Sequence, residues 1–299
     1  MAVEERNCFI NKTTDNQLYD VLVSLSQKFY VPELISRDCF NDLTLNGQLW
    51  QIYSAVSGGA LWNPSQIPTV FWYDPSDADT ITTSGSNVTQ VDDKSGNNYT
   101  LTPIVGQNPP LIGTRFLNGM NVLEWTGNNC IENTSFSYNQ SATPLNFAFI
   151  VYHDSPAGTY PQEFYFAGTE SALDPRIYAR RDSSDRYQLN AGFTQLSPNN
   201  TISANQPFII VNQINSTNSL VRIDGTQQVS GNIGPNPFQI LSLGHNENEQ
   251  FDLDGYFAEI IGFADNSQQE RVEGYLAWKW GLVSSLPAGH PYKNQPPLI

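Results

Sequence analysis

From Thr69 onward the chain is a succession of short apolar runs cut by Gly, Pro and Asn, and no helical pattern separates them. TVFWYD gives way to the acidic turn PSDADT, NVLEW to TGNN, and NFAFIVYHD to SPAG. EFYFAG, RIYARR and RYQLNAGF follow, with SSD between the last two as a hairpin turn, and then FIIVNQI, LVRIDG, FQILSLG and GYFAEIIGFAD. Runs of this length, rich in β-branched and aromatic residues and bounded by turn formers, are strands. Strands at this spacing without intervening helices predict an antiparallel sandwich or jelly roll. Several runs are apolar on both faces, which suits a strand with one face in the sandwich and the other under a further layer. In GYFAEIIGFAD, strict alternation would put Phe257, Glu259, Ile261 and Phe263 on one face, with Tyr256, Ala258 and Ile260 on the other.

The two ends read differently. SQQERVEGYLAWKW places Val272, Tyr275, Leu276 and Trp280 on one side of a helix, with Ser267 and Glu270 as a capping box and Gly281 as its stop. Pro287 and Pro291 keep the tail extended. Such a helix belongs against the edge or convex face of a sandwich, and its tryptophans are fastenings. Lys279, between two of them, is expected to lay its stem over the rings with its ammonium in water. Near the start, Leu18, Leu22, Leu25 and Phe29 have helical spacing behind Asp15, and Gly47 to Val56 offers a second short helix. Neither is long enough to be stable alone, so both need a surface to lie on. The expected organisation is therefore a partly helical docking or oligomerisation region over residues 1–65 and a β-sandwich over 66–299.

Charge narrows the partners. Only 14% of the residues are charged, but 29 acids face 14 bases for a net charge of −15. A surface this acidic repels phosphate backbones and anionic membranes, which argues against nucleic acid as a partner. No apolar run approaches the ~18 residues of a membrane helix, and MAVEERNCFINKTTDNQ has no basic and apolar leader pattern. Cys8, Cys39 and Cys130 fit neither a disulfide framework nor a metal pattern. Sequons at Asn11, Asn87, Asn98, Asn133, Asn139, Asn199 and Asn215 then read as by-products of an Asn-rich composition. A polar, weakly charged protein made in cytoplasm without an export signal fits one that leaves the cell by lysis.

FWYDPSDADT, VDDKSGNNYTL, LNGMNVLEWTG, LVRIDGTQQVSG and the ending LDGYFAEIIGFADNSQQERVEGYLAWKWGLVSSLPAGHPYK occur in that order. Together they resemble the concanavalin A-like, laminin G-like jelly-roll domains of bacteriophage virion structural proteins, over about residues 69–293. The resemblance implies a two-sheet antiparallel sandwich with the terminal helix outside. It implies little about activity, since such domains include sugar-binding lectins, glycanases and purely architectural members. Taken with the missing export signal, the polar surface and the separate N-terminal region, it leads to the expectation of a virion location, with other virion proteins as partners and host glycans as adhesion targets. A homo-oligomer is expected, a trimer among the options, although no heptad repeat specifies one. The expectation is a non-enzymatic capsid-decoration, head-fibre or tail-fibre protein. A free lectin and a glycan hydrolase are the alternatives.

The candidate chemistry is sparse. Glycanases on this scaffold carry closely spaced acids on one strand, about 5 Å apart when they retain configuration. The nearest approach here is Glu247, Glu249, Asp252 and Asp254 in a loop entering a strand, with Glu259 standing alone. No nucleophile elbow accompanies His153, His245 or His290, and His290 reads as a hydrogen-bonding tail residue. Asp74, Asp77 and Asp79 share a turn and are the candidate ligands for calcium, a hard cation that takes six to eight oxygens. Tyr138, Tyr160 and Phe193 lie in polar segments and are the candidate glycan contacts. Trp72, Trp125, Trp278 and Trp280 are assigned to the core.

Overall fold

The computed structural model describes residues 18, 19, 21, 61–127, 129–154, 162–167, 177–192, 194–199, 201–244 and 253–299. Leu18, Tyr19 and Val21, inside the first expected helix, are helical; the rest of that helix and the second one lie outside the described residues. Strands are numbered along the chain. One sheet runs, in spatial order, β1 (Thr69–Tyr73), β18 (Asp254–Phe263), β9 (Leu145–His153), β14 (Phe208–Ile214), β15 (Ser219–Ile223) and β16 (Thr226–Gly231), with β7 (Leu123–Thr126) also on β18. The other runs β13 (Gln195–Leu196), β12 (Tyr187–Ala191), β11 (Ile177–Arg181), β10 (Gln162–Ala167), β17 (Leu241–Leu243), β8 (Ile131–Asn133) and β4 (Thr102–Pro103). Two hairpins complete the set, β2 (Ile81–Ser84) with β3 (Asn87–Val91) and β5 (Phe116–Leu117) with β6 (Met120–Asn121). Every strand pairing is antiparallel, as the runs without crossover helices require.

The inner faces of the two sheets meet in an aromatic core. Phe147, Phe149, Phe257 and Ile210 of the first sheet face Phe164, Tyr165, Tyr187 and Leu243 of the second. Phe147 stacks on Tyr165 with ring centroids 4.0 Å apart, and Trp125 meets Phe257 edge-on. The outer face of the first sheet is apolar too, through Ala148, Ile150, Ile209, Val211, Ile261 and Phe263. That face cannot meet water, and helix α1 (Gln269–Lys279) covers it with Val272, Tyr275, Leu276, Ala277 and, just past its end, Trp280. The molecule is thus three layers: second sheet, first sheet, helix.

The periodicity of α1 is as expected from its sequence, but its start differs. Asp265, not Ser267, caps the entry, accepting the Ser267 backbone N–H at 2.9 Å and hydroxyl at 2.7 Å over a single 3-10 turn. At the other end Gly281 takes φ +74° while the Leu282 N–H reaches back to the Ala277 carbonyl at 2.7 Å, a Schellman stop. The mid-helix Gly274 is explained by the tail: a Cβ there would lie 2.6 Å from the side chain of Tyr292. Tyr292 also accepts the Trp278 indole N–H on its carbonyl at 2.8 Å, so half-buried Trp278 binds the tail instead of entering the core. Lys293 caps the same turn region, donating to the carbonyls of Val283, Ser284 and Leu286. Residues 61–65, grouped by sequence with the N-terminal region, pack on this body: Trp62 is buried in the helix-side cluster and its N–H donates to the Pro297 carbonyl.

The facing of β18 also departs from strict alternation. Its partner on one edge changes from β7, at Asp254 to Phe257, to β1, at Ile260 to Phe263, and its register against β9 slips by one residue in between. This bulge turns both Phe257 and Ile260 inward and sends Tyr256, Ala258, Ile261 and Phe263 outward. Glu259, at the bulge, goes to the helix side, away from Phe257.

β15 and β16 are joined by the two residues Asp224 (φ 49°) and Gly225 (φ 75°), a type I′ hairpin turn. Asp224 also accepts the Ile209 N–H on its carboxylate at 2.9 Å. Burial, offset in part by that bond and reinforced by nearby Glu273, pushes its pKa up to about 6. The folded state therefore holds this proton more tightly than the unfolded chain, and the stability it contributes is lost as pH rises from about 4 to about 6. Asn suits the turn and keeps an acceptor for Ile209. Asp224→Asn should therefore gain on the parent by on the order of 3 kcal/mol across that window and hold the gain above it. Urea midpoints at pH 4, 5, 6 and 7 check this; a constant difference would contradict it.

Candidate functional site

Among the described residues two places concentrate polar side chains, one sealed and one partly exposed. The sealed one lies between α1 and the first sheet. Glu259 has no exposed surface, yet each of its oxygens is doubly occupied. Oε1 accepts the Trp72 indole N–H at 2.7 Å and the Tyr275 hydroxyl at 2.9 Å. Oε2 accepts the Trp280 indole N–H at 2.7 Å and the Lys279 ammonium at 2.8 Å. Lys279 also pairs with Asp74 Oδ2 at 2.8 Å, which corrects the expectation of an ammonium in water. Two carboxylates beneath the helix offer a buried ammonium more than the solvent edge does. Asp74 follows β1 directly; its Oδ1 accepts the Ser76 hydroxyl at 2.6 Å and N–H at 3.2 Å. Its Oδ2 also takes Lys94 at 3.1 Å, and Lys94 continues outward to Asp77 at 2.5 Å, lying over the Trp72 ring.

Burial would push the Asp74 carboxyl up, but the ammonium groups of Lys279 and Lys94 and the Ser76 hydroxyl hold it well below the usual carboxylate range. Burial dominates at Glu259, raising its pKa against the pull of Lys279 and with the help of the Asp74 charge. At Lys279 burial favours the neutral amine, but Asp74 and Glu259 outweigh it and the pKa rises. With all four acceptor positions of Glu259 filled under a helix, this acid has no approach for an external substrate.

The same geometry bears on calcium. Asp74 and Asp77 are held by ammonium groups, which occupy the place a hard cation would take. Asp79 is exposed and its own N–H bonds to Asp77, the cap of a 3-10 turn at Ala78–Thr80. Among the described residues no three His, Cys, Asp or Glu side chains converge as a metal site. The three aspartates form a turn and an ion-pair network.

The other is the outer face of the second sheet, where Gln195 and Thr102 are exposed, Tyr178, Arg180 and Glu132 half-buried, and Gln188, Asn190 and Ser242 buried. Tyr187, Leu189, Ala179 and Leu243 point into the core, so the alternate positions point out. In register, Gln195, Asn190, Tyr178, residue 166, Ser242, Glu132 and Thr102 form one line across all seven strands. Tyr178 donates to Gln195 at 3.1 Å, and the Arg180 guanidinium lies 4.7 Å over its ring while bonding Gln188 at 2.7 Å. Gln188 in turn donates to Asp182 at 3.0 Å. The line ends beside a pocket of about 230 Å³ between Thr102, Val105, Glu132 and Ser135. An aromatic face, amides, a guanidinium and carboxylates on a rigid sheet can stack on and hydrogen-bond a polyhydroxylated ligand.

Of the sequence candidates for glycan contact, Tyr138 is half-buried against the core and its hydroxyl donates to the Pro144 carbonyl at 3.1 Å, so it is part of the wall. Tyr160 and Phe193 lie outside the described residues, as do Glu247, Glu249 and Asp252. His290 is buried, its Nε2 3.3 Å from Glu273, as a tail residue should be. The outward line itself was legible in the alternation of RIYARR and RYQLNA, where Tyr178, Arg180, Gln188 and Asn190 fall out of phase with the core residues.

No protein-family model and no curated protein matches this sequence. Solved structures share its fold. A mutant of Trypanosoma rangeli sialidase displaying trans-sialidase activity superposes with a TM-score of 0.51 at 12% identity, over 85% of this chain and 37% of that one. The T. rangeli sialidase in complex with a difluorinated nononic acid gives 0.50 at 11% identity, over 90% and 39%. A GH54 α-L-arabinofuranosidase soaked with a cyclic sulfate inhibitor gives 0.50 at 11%, over 73% and 60%. The chain thus spans less than two thirds of these carbohydrate-active enzymes, and at such identities the likeness establishes the β-sandwich fold alone.

Glu259→Ala should destabilise the chain by about 3–5 kcal/mol, because it strands three buried donors and takes from Lys279 one of its two carboxylates. Asp77→Ala, at the solvated end of the same network, should cost no more than ~1 kcal/mol. Denaturant unfolding of both variants checks the contrast, and equal losses would contradict it.

Proposed function

We propose that this chain is a non-enzymatic structural component of a tailed-bacteriophage particle, whose sandwich projects outward and offers the outer face of its second sheet to host glycans. Residues 1–60 dock on other virion proteins in this reading, as part of a homo-oligomer. The observation that carries the glycan-facing part is the outward line across the second sheet, of which Gln195, Tyr178, Glu132 and Thr102 reach solvent. A display role without catalysis is supported by Glu259, the acid most isolated in the sequence, being enclosed by Trp72, Tyr275, Lys279 and Trp280. The particle itself is argued from the ordered sequence marks and the polar, weakly charged composition.

The full chain on a glycan array should give discrete hits, and Tyr178→Ala should weaken the best of them roughly three- to tenfold, the worth of one aromatic stack. Purified particles should contain the chain and lose it when residues 1–60 are deleted. Hits unaffected by Tyr178→Ala would contradict the assigned face; particles that retain the deleted form would contradict the docking role.

A further inference from the structure

The sealed cluster holds a primary amine against a carboxylic acid, with a second acid, from the sheet, on the same amine. Lys279 Nζ stands 2.8 Å from Asp74 Oδ2 and 2.8 Å from Glu259 Oε2. Amine and acid in water stay an ion pair, because both charged forms are well solvated and water competes for the product. Here the ion pair is still the resting form, but the competing water is excluded. Asp74 is 4% exposed, Glu259 is wholly buried, and the indoles of Trp72 and Trp280 and the phenol of Tyr275 wall the site. One proton passed from the ammonium to the carboxylate makes the minor neutral pair, amine against acid, and in a walled site held in contact that pair goes forward to the amide.

We propose that Lys279 and Asp74 condense into an intramolecular isopeptide bond, with Glu259 as the proton relay. Glu259 takes a proton from the Lys279 ammonium and delivers it to Asp74 Oδ2. The freed Nζ lone pair attacks Asp74 Cγ, forming the C–N bond and placing negative charge on Oδ1. The Ser76 N–H and hydroxyl already donate to Oδ1 and stabilise that charge, as an oxyanion hole does. Glu259 passes a second proton from nitrogen to Oδ2, the Cγ–Oδ2 bond breaks and Oδ2 leaves as water, assisted by the Lys94 ammonium 3.1 Å away. Of the three ammonium protons one stays on the amide and two leave in the water, so nothing is oxidised or reduced and Glu259 ends as it began. Proximity supplies the rate, since the reacting groups are held in contact by the fold.

Lys94 touches the same oxygen but does not compete. Its side chain is 20% exposed, Asp77 holds it at 2.5 Å on the outer side, and none of its bonds goes to Glu259. The resulting amide would join the end of β1 to the last turn of α1 and close everything between into one covalent loop. The same walls would keep water from hydrolysing it.

The test is the intact mass of the purified full chain. The expected mass is that of the sequence less one water, and tryptic digestion should release a branched peptide joining the segment with Asp74 to the segment with Lys279. Lys279→Arg should have its full mass and migrate differently from the parent in a boiled denaturing gel. Glu259→Gln should form the link roughly 100-fold or more slowly, the worth of a positioned proton relay. A natively folded parent chain that keeps its full mass after prolonged incubation would overturn the proposal, as would a lost water traced to another pair such as Lys94 and Asp74. If Glu259→Gln fails to fold, the parent mass and its branched peptide decide alone. Glycan binding does not enter any of these readouts, so they stand or fall apart from the proposed function.

Discussion

One carboxylate organises the helix side of this molecule. Glu259 collects a donor from β1 and three from the end of α1, and a buried charge with four partners tolerates very little displacement of any of them. Apolar burial would press α1 onto the sheet in many rotations; the Glu259 bonds select one. Two further polar links repeat the device along the helix. Arg222 of β15 grips Glu273 with two nitrogens at 2.7 and 2.9 Å, and Gln269 bridges Asn146 of β9 and Gln213 of β14. Helix, sheet edge and sheet centre are therefore registered at three points, with the apolar residues between them excluding water.

That registration divides the protein into a closed side and a partly exposed one. The first sheet, apolar on both faces, must lie in the middle of three layers, so every polar group beneath α1 is enclosed and has to be satisfied internally. The outer face of the second sheet is polar and only partly enclosed: Gln188, Asn190 and Ser242 are buried, while Gln195, Tyr178, Arg180, Glu132 and Thr102 reach solvent. The enclosed Glu259 and the partly exposed line through Tyr178 thus fall on opposite sides of the core.

The strands from Thr69 to Phe263 and the terminal helix were legible because burial imposes periods of two and about 3.6 on the sequence. Short strands such as β4, β5, β6 and β8 were not, since two or three residues carry no period. The bulge in β18 escaped for a different reason: it arises where β7 hands over to β1 along one edge, a tertiary event with no local signature in FAEIIGF. That slip concealed the role of Glu259, and with it the reason Lys279 abandons solvent. The aspartates of DPSDAD were equally ambiguous, because an acidic turn awaiting a cation and one awaiting two lysines from distant segments look alike in sequence. Asp265 taking the capping role from Ser267 is a smaller case, in which an extra 3-10 turn moved the entry by two residues.

The most direct measurement of the central claim is the exchange of the indole protons of Trp72 and Trp280 followed by NMR in the native chain. If both donate to a sealed Glu259, the two signals should be shifted downfield and exchange with solvent only on global unfolding. Rapid exchange of either indole while the β-sandwich amides remain protected would contradict the account, since it would place water where the carboxylate is claimed to stand.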